Sequence, residues 1–159
     1  MSDGSIVIEM FYPHPIGAVW SALTRAEALA EWLMPNDFEP RVGHHFTFRT
    51  RPDQYWDGTV YCEVVALEQP RWMAYTWQNK TSSLDTLVTF TLEPAEGGTR
   101  LRLEHSGFEK TGQAGLTIRD MLASGWNSKI LRERLPALLD REAGQPGQAK
   151  AHARREQTA

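Results

Sequence analysis

The chain has 159 residues, 41% hydrophobic and 23% charged, with a formal net charge of −3. A length near 150 residues supports one domain with one real core, since a globular chain of that size buries roughly 70% of the surface it exposes when unfolded. This composition excludes disorder for the chain as a whole, and a pI near 5.9 offers no general positive field to a phosphate backbone, so no nucleic-acid partner is expected.

Ile6, Ile8 and Met10 share one parity ahead of Pro13 and Pro15, which predicts a first strand over about residues 5–11. Ile16, Val19, Trp20 and Leu23 follow at i, i+3, i+4, i+7 and gather on one helical face. Thr24 and Glu27 have capping-box spacing, predicting a second short helix that carries Leu29, Trp32 and Leu33 and ends at Pro35.

From Phe38 to Ser106 the period changes to two, punctuated by turn residues such as Pro52-Asp53, Asp57-Gly58, Gln69-Pro70 and Gly97-Gly98. Antiparallel strands are expected, with Phe46 and Phe48, Met73, Tyr75 and Trp77, Val88, Phe90 and Leu92, and Leu101, Leu103 and His105 on the dry face. The segment 58–68 is apolar on both parities, so its faces stay unassigned; a bulge is one explanation.

A long helix is expected over about residues 116–142, on a stripe of Ile118, Leu122, Trp126 and Ile130 with Met121 and Gly125 beside it. Pro136 must interrupt or kink it, because proline lacks an N–H and its ring crowds the carbonyl of Arg132. Residues 1–143 are thus expected to form the domain, and the basic residues 144–159, with no large apolar side chain, a disordered tail.

The order of strand, two short helices, several antiparallel strands and one long helix resembles the START-like (Bet v 1-like, SRPBCC) superfamily. Within it the chain resembles the branch related to the C-terminal domain of the Hsp90 ATPase activator. The residues that carry this are Pro15-Ile16-Gly17-Ala18-Val19-Trp20-Ser21-Ala22-Leu23-Thr24, Trp32 with Pro35, Tyr75-Thr76-Trp77, the run from Thr99 to Phe108, and Gly125-Trp126. The resemblance covers about residues 5–142. It implies an α+β helix-grip fold, a curved antiparallel sheet of about seven strands with two short helices and the long C-terminal helix over the concave face.

It further implies a cavity between sheet and helix that holds a small apolar or aromatic molecule, lined by Trp32, Phe46, Phe48, Trp56, Tyr75, Trp77, His105, Met121 and Trp126. The alternative for each aromatic is plain core packing. For His105 the functional role would be to orient a ligand or move a proton, and the structural one to bond a backbone carbonyl. Two further functions remain open on this scaffold: a cyclase- or dehydratase-like enzyme using His105, Tyr75 and Glu63, and a protein-interaction module.

Other chemistries leave no trace. Adjacent His44 and His45 point to opposite sides of a strand and cannot easily share a metal, so no metal is expected. No serine lies in a nucleophile elbow, Cys62 has no histidine placed beside it, and neither G-x-G-x-x-G nor a P-loop occurs, so no catalytic residue or cofactor is assigned. As the single cysteine, Cys62 also excludes an internal disulfide and suits a reducing, cytoplasmic setting. Neither a secretory leader nor a membrane span is expected, and exposed sheet edges make a homodimer possible.

Overall fold

The computed structural model describes residues 4–81 and 83–144. The expectation of a disordered tail over 144–159 therefore lies outside the described residues from 145 onward. Strand β1 (Ile6–Tyr12) leads to helices α1 (Ile16–Thr24) and α2 (Ala26–Trp32). Strands β2 (His45–Arg49), β3 (Thr59–Glu68), β4 (Trp72–Asn79), β5 (Leu84–Ala95) and β6 (Gly98–Ser106) follow. A C-terminal helical run then starts with a 3-10 turn (Phe108–Thr111) and continues as α3 (Gly112–Gly125), a π-helical stretch (Trp126–Arg134) and α4 (Leu135–Ala143).

The strands form one antiparallel sheet in the order β1-β6-β5-β4-β3-β2, so the first strand pairs with the last. Alternation dictates the dry face, since residues two apart share a side of the pleat. Ile6, His105, Val88, Tyr75 and Val64 stand in register across five strands, and all are buried. The C-terminal run covers this face, with Trp126 seated against Trp77 and Phe90 at ring-centroid distances of 5.7 and 6.1 Å. This is the helix-grip architecture that the element order implied.

Among the described residues the sheet has six strands rather than about seven. Between Pro35 and Pro40 only an isolated bridge from Asn36 to Phe48 forms. Both prolines withhold ladder donors, and Asn36 is committed to a turn. Its Nδ2 donates to the carbonyls of Ala26 and Met34, and its Oδ1 accepts from the Phe38 N–H. The ambiguous strand β3 does contain a bulge, with its pairing shifted between Val64 and Ala66. Val60, Cys62 and Val64 point inward before the shift, and Leu67 packs on the core after it, which is why both parities look apolar in sequence.

The capping-box reading of Thr24 is corrected. Its hydroxyl donates back to the Trp20 carbonyl at 2.8 Å within α1, and α2 has Arg25 at its N-cap with no side-chain cap. A threonine in the last turn of one helix satisfies itself there more readily than it caps the next.

Pro136 acts through a change of helical winding. The Leu135 N–H reaches back five residues to the Ile130 carbonyl, the wide π register. Continued by one residue, that register would point Leu131 O at Pro136, which has no N–H. The buried Tyr12 hydroxyl of β1 takes that place and donates to Leu131 O at 2.7 Å. α4 then restarts with Pro136 in its first turn, where a missing N–H is tolerated.

Candidate functional site

Of the nine residues expected to line the space between sheet and helix, seven are buried there: Trp32, Phe46, Phe48, Tyr75, Trp77, His105 and Trp126. They pack ring against ring. Phe46 meets Phe48 at 5.4 Å and Tyr75 at 5.3 Å, Phe48 meets Trp77 at 5.6 Å, and Trp77 meets His105 at 5.3 Å. Most pairs are tilted or edge-on, the arrangement that sets the positive edge of one ring against the negative face of another.

Trp56 is half-buried in the β2–β3 loop and packs against the edge of this core. Met121 does not belong to it. At 68% exposure it points to solvent, while Ile118 and Leu122 of the same helix pack inward. The neighbouring helical position is rotated by about 100°, enough to carry Met121 off the apolar stripe.

Three aromatics belong to the cluster without having been assigned to the site. Phe38 sits edge-on to Phe46 at 5.1 Å, Phe90 joins Tyr75 to Trp126, and Phe108 lies 4.6 Å from His105. Phe90 was readable from parity and Phe108 from its place after Gly107. Phe38 opens the period-two region but stands between Pro35 and Pro40, where no strand partner of like parity marks it as inward.

His105 is part of a saturated chain of hydrogen bonds. The Thr86 hydroxyl donates to the Trp77 carbonyl at 2.7 Å and so accepts from His105 Nε2 at 2.8 Å. Nδ1 is then free of hydrogen and accepts from Trp126 Nε1 at 3.2 Å. Burial lowers the imidazole pKa to about 3, so the ring is neutral with both nitrogens committed. In this arrangement His105 locks the C-terminal run to β5 and β6.

Tyr75 differs. It is fully buried, and among the described residues no group accepts from its hydroxyl. Burial, and secondarily the neighbouring Cys62, hold the phenol well above its ordinary pKa, so it remains a donor. Glu63, the third member of the possible catalytic set, is not brought near: it pairs with His45 at 3.5 Å, with both side chains well exposed.

The two parts of the helical cover are held unequally. α3 fully buries only Gly115, while Leu116, Ile118, Leu122 and Ala123 are half-buried on the core. α4 buries Leu135, Leu138 and Leu139. It is also tied to the first helices: Arg25 Nη2 donates to both carboxylate oxygens of Glu142 at 2.8 and 2.7 Å, and Arg141 pairs with Glu31. A groove of about 390 Å³ opens between residues 6–9 of β1 and Arg119, Ala123 and Asn127 of the cover.

Among the described residues no cluster of three or more His, Cys, Asp or Glu side chains is placed to hold a metal, and no helix is long and apolar enough to cross a membrane.

A curled antiparallel sheet gripped by a C-terminal helix defines the START-like, Bet v 1-like (SRPBCC) class, a scaffold of the hydrophobic-ligand-binding type. Residues 13–140 match the family described as "Activator of Hsp90 ATPase homolog 1-like protein", and the chain belongs to that family. The crystal structure of protein MLL2253 from Mesorhizobium loti is similar at 39% identity, covering 86% of this chain and 97% of that one with a TM-score of 0.73. For the solution structure of Bacillus halodurans protein BH1534 the identity is 30%, the coverage 85% and 96%, and the TM-score 0.69. CalU16 from Micromonospora echinospora shares the fold at 23% identity, with 94% and 84% covered and a TM-score of 0.69. No curated protein matches the sequence.

Proposed function

We propose that the domain binds a small, largely apolar or aromatic molecule between the dry face of the sheet and the α3 part of its cover. Trp32, Phe46, Phe48, Tyr75, Trp77 and Trp126 supply the walls. The observation that carries this reading is the unequal seating of the cover: a firmly fastened α4 continues, through the π-helical stretch whose Trp126 rests on Trp77 and Phe90, into an α3 that buries a single residue. Such a cover can lift without unfolding the domain. The π-helical stretch between the two parts supports the same reading, since π insertions recur at functional sites. The groove beside β1 marks where the cover stands off the sheet edge.

Binding fits the geometry better than proton transfer does, because His105 is neutral and saturated and Glu63 faces away. A ligand that buries about 300 Å² of apolar surface gains roughly 7 kcal/mol before the loss of its own freedom, so affinities in the micromolar range are expected.

The test is a titration of the full chain with flat aromatic and fatty-acid-like compounds, read by tryptophan emission. A bound ligand should perturb Trp77 and Trp126, and Trp126→Phe should remove most of the response. If the whole panel leaves the emission unchanged, the aromatic rows are core alone, and the protein-interaction reading takes the place of this one.

A further inference from the structure

Resting on the binding reading above, we infer that the Tyr75 hydroxyl is the hydrogen-bond donor that selects the ligand, and that the ligand is a neutral aromatic ketone or comparable carbonyl compound. Tyr75 lies at the centre of the cross-strand row, between Val64 and Val88. The other deeply buried polar side chains of this core are served by protein groups. Trp32 Nε1 donates to Ala22 O, Tyr12 to Leu131 O, and His105, Thr86 and Trp126 serve one another. Phenylalanine would fill the Tyr75 position without burying a polar atom. A buried hydroxyl with no acceptor is a feature that folding alone disfavours.

The surroundings define the acceptor. Phe38, Phe46, Phe48 and Phe90 ring Tyr75 at centroid distances of 6.2, 5.3, 6.0 and 6.3 Å, and they provide no cation. A carboxylate or phosphate brought here would lose its hydration with no cation to offset that cost. A hydrocarbon would leave the hydroxyl unmade. A neutral carbonyl on a flat aromatic frame satisfies the hydroxyl and the rings together.

The experiment uses a matched set, 9-fluorenone, fluorene and 9-fluorenone-2-carboxylate, titrated at pH 7 into the full chain and into Tyr75→Phe. The wild type should bind the ketone about tenfold more tightly than the hydrocarbon, the size of one well-made buried hydrogen bond, and more tightly than the acid. Tyr75→Phe should bind ketone and hydrocarbon alike while keeping its affinity for fluorene. The infrared carbonyl stretch of wild-type-bound fluorenone should move to lower frequency than in a hydrocarbon solvent, a readout that does not depend on the variant folding.

An unshifted stretch, or a ketone preference that survives in Tyr75→Phe, overturns the assignment. If the wild type binds ketone and hydrocarbon equally, the role of Tyr75 falls and the binding reading stands. If it binds neither, nor any other compound of the panel, both fall.

Discussion

In nine residues α4 buries three leucines and carries an ion pair whose partners, Arg25 and Glu142, are only 20% and 13% exposed. α3, with fourteen residues, buries only a glycine, turns Met121 outward and rests on half-buried side chains. Both belong to one continuous helical run, yet one part fastens and the other covers. An amphipathic stripe therefore says which side of a helix faces the core and little about how tightly it is held; that depends on what the opposite surface offers. α4 packs on α1 and α2, whereas α3 borders a groove along a sheet edge.

The strongest way to break this comparison is to truncate both parts. Leu135→Ala should destabilise the domain by about 3 kcal/mol, and Leu122→Ala by less than about 1 kcal/mol, both measured by urea denaturation. Equal losses would show that α3 is as firmly seated as α4.

Acid should act on the lock between them. The folded pKa of His105, about 3, lies below the ordinary imidazole value of 6.5, so the unfolded chain takes up the proton first. The stabilisation is complete above pH 6.5 and is lost as pH falls toward 3, at up to about 1.4 kcal/mol per pH unit. His105→Gln should flatten that limb of the stability curve. If the acid limb keeps its slope in the variant, other groups cause it.

Tyr12→Phe removes the donor that serves Leu131 O in the π-helical stretch, and should cost about 1–2 kcal/mol by thermal unfolding. A loss below about 0.5 kcal/mol would mean that the carbonyl finds another partner. The smallest effect belongs to Met121→Ala. It should change stability by less than about 0.5 kcal/mol and leave ligand affinity nearly unaltered, because the side chain is 68% exposed. Weakened binding in that variant would bring Met121 back into the site, on a cover that closes further over a ligand.

The sequence reading succeeded where one local rule decided the outcome. Alternation placed Tyr75, Trp77, Val88, Phe90, Leu103 and His105 on the dry face because a strand allows only two directions. It went astray where two rules competed. Thr24 satisfied both a capping-box spacing and a back-bond to Trp20, and the back-bond won. Met121 stood beside the apolar stripe, and a position at its margin has no rule to settle it. The partner of Leu131 O, 119 residues away on Tyr12, could not be read from any local pattern. Neither could the saturation of His105, which depends on Thr86 and Trp126 arriving from two other elements.

The pairing of β1 with β6 also bears on how the chain is made. Ile6 finds its ladder partner at His105 and Tyr12 at Thr99, so about 90 residues must leave the ribosome before β1 has a neighbour. At roughly 5–20 residues per second, its apolar side chains wait about 5–20 s in an unpaired strand. The cover that shields the row from Ile6 to Tyr75 is synthesised later still. The nascent domain thus carries an open aromatic surface until its helical run emerges.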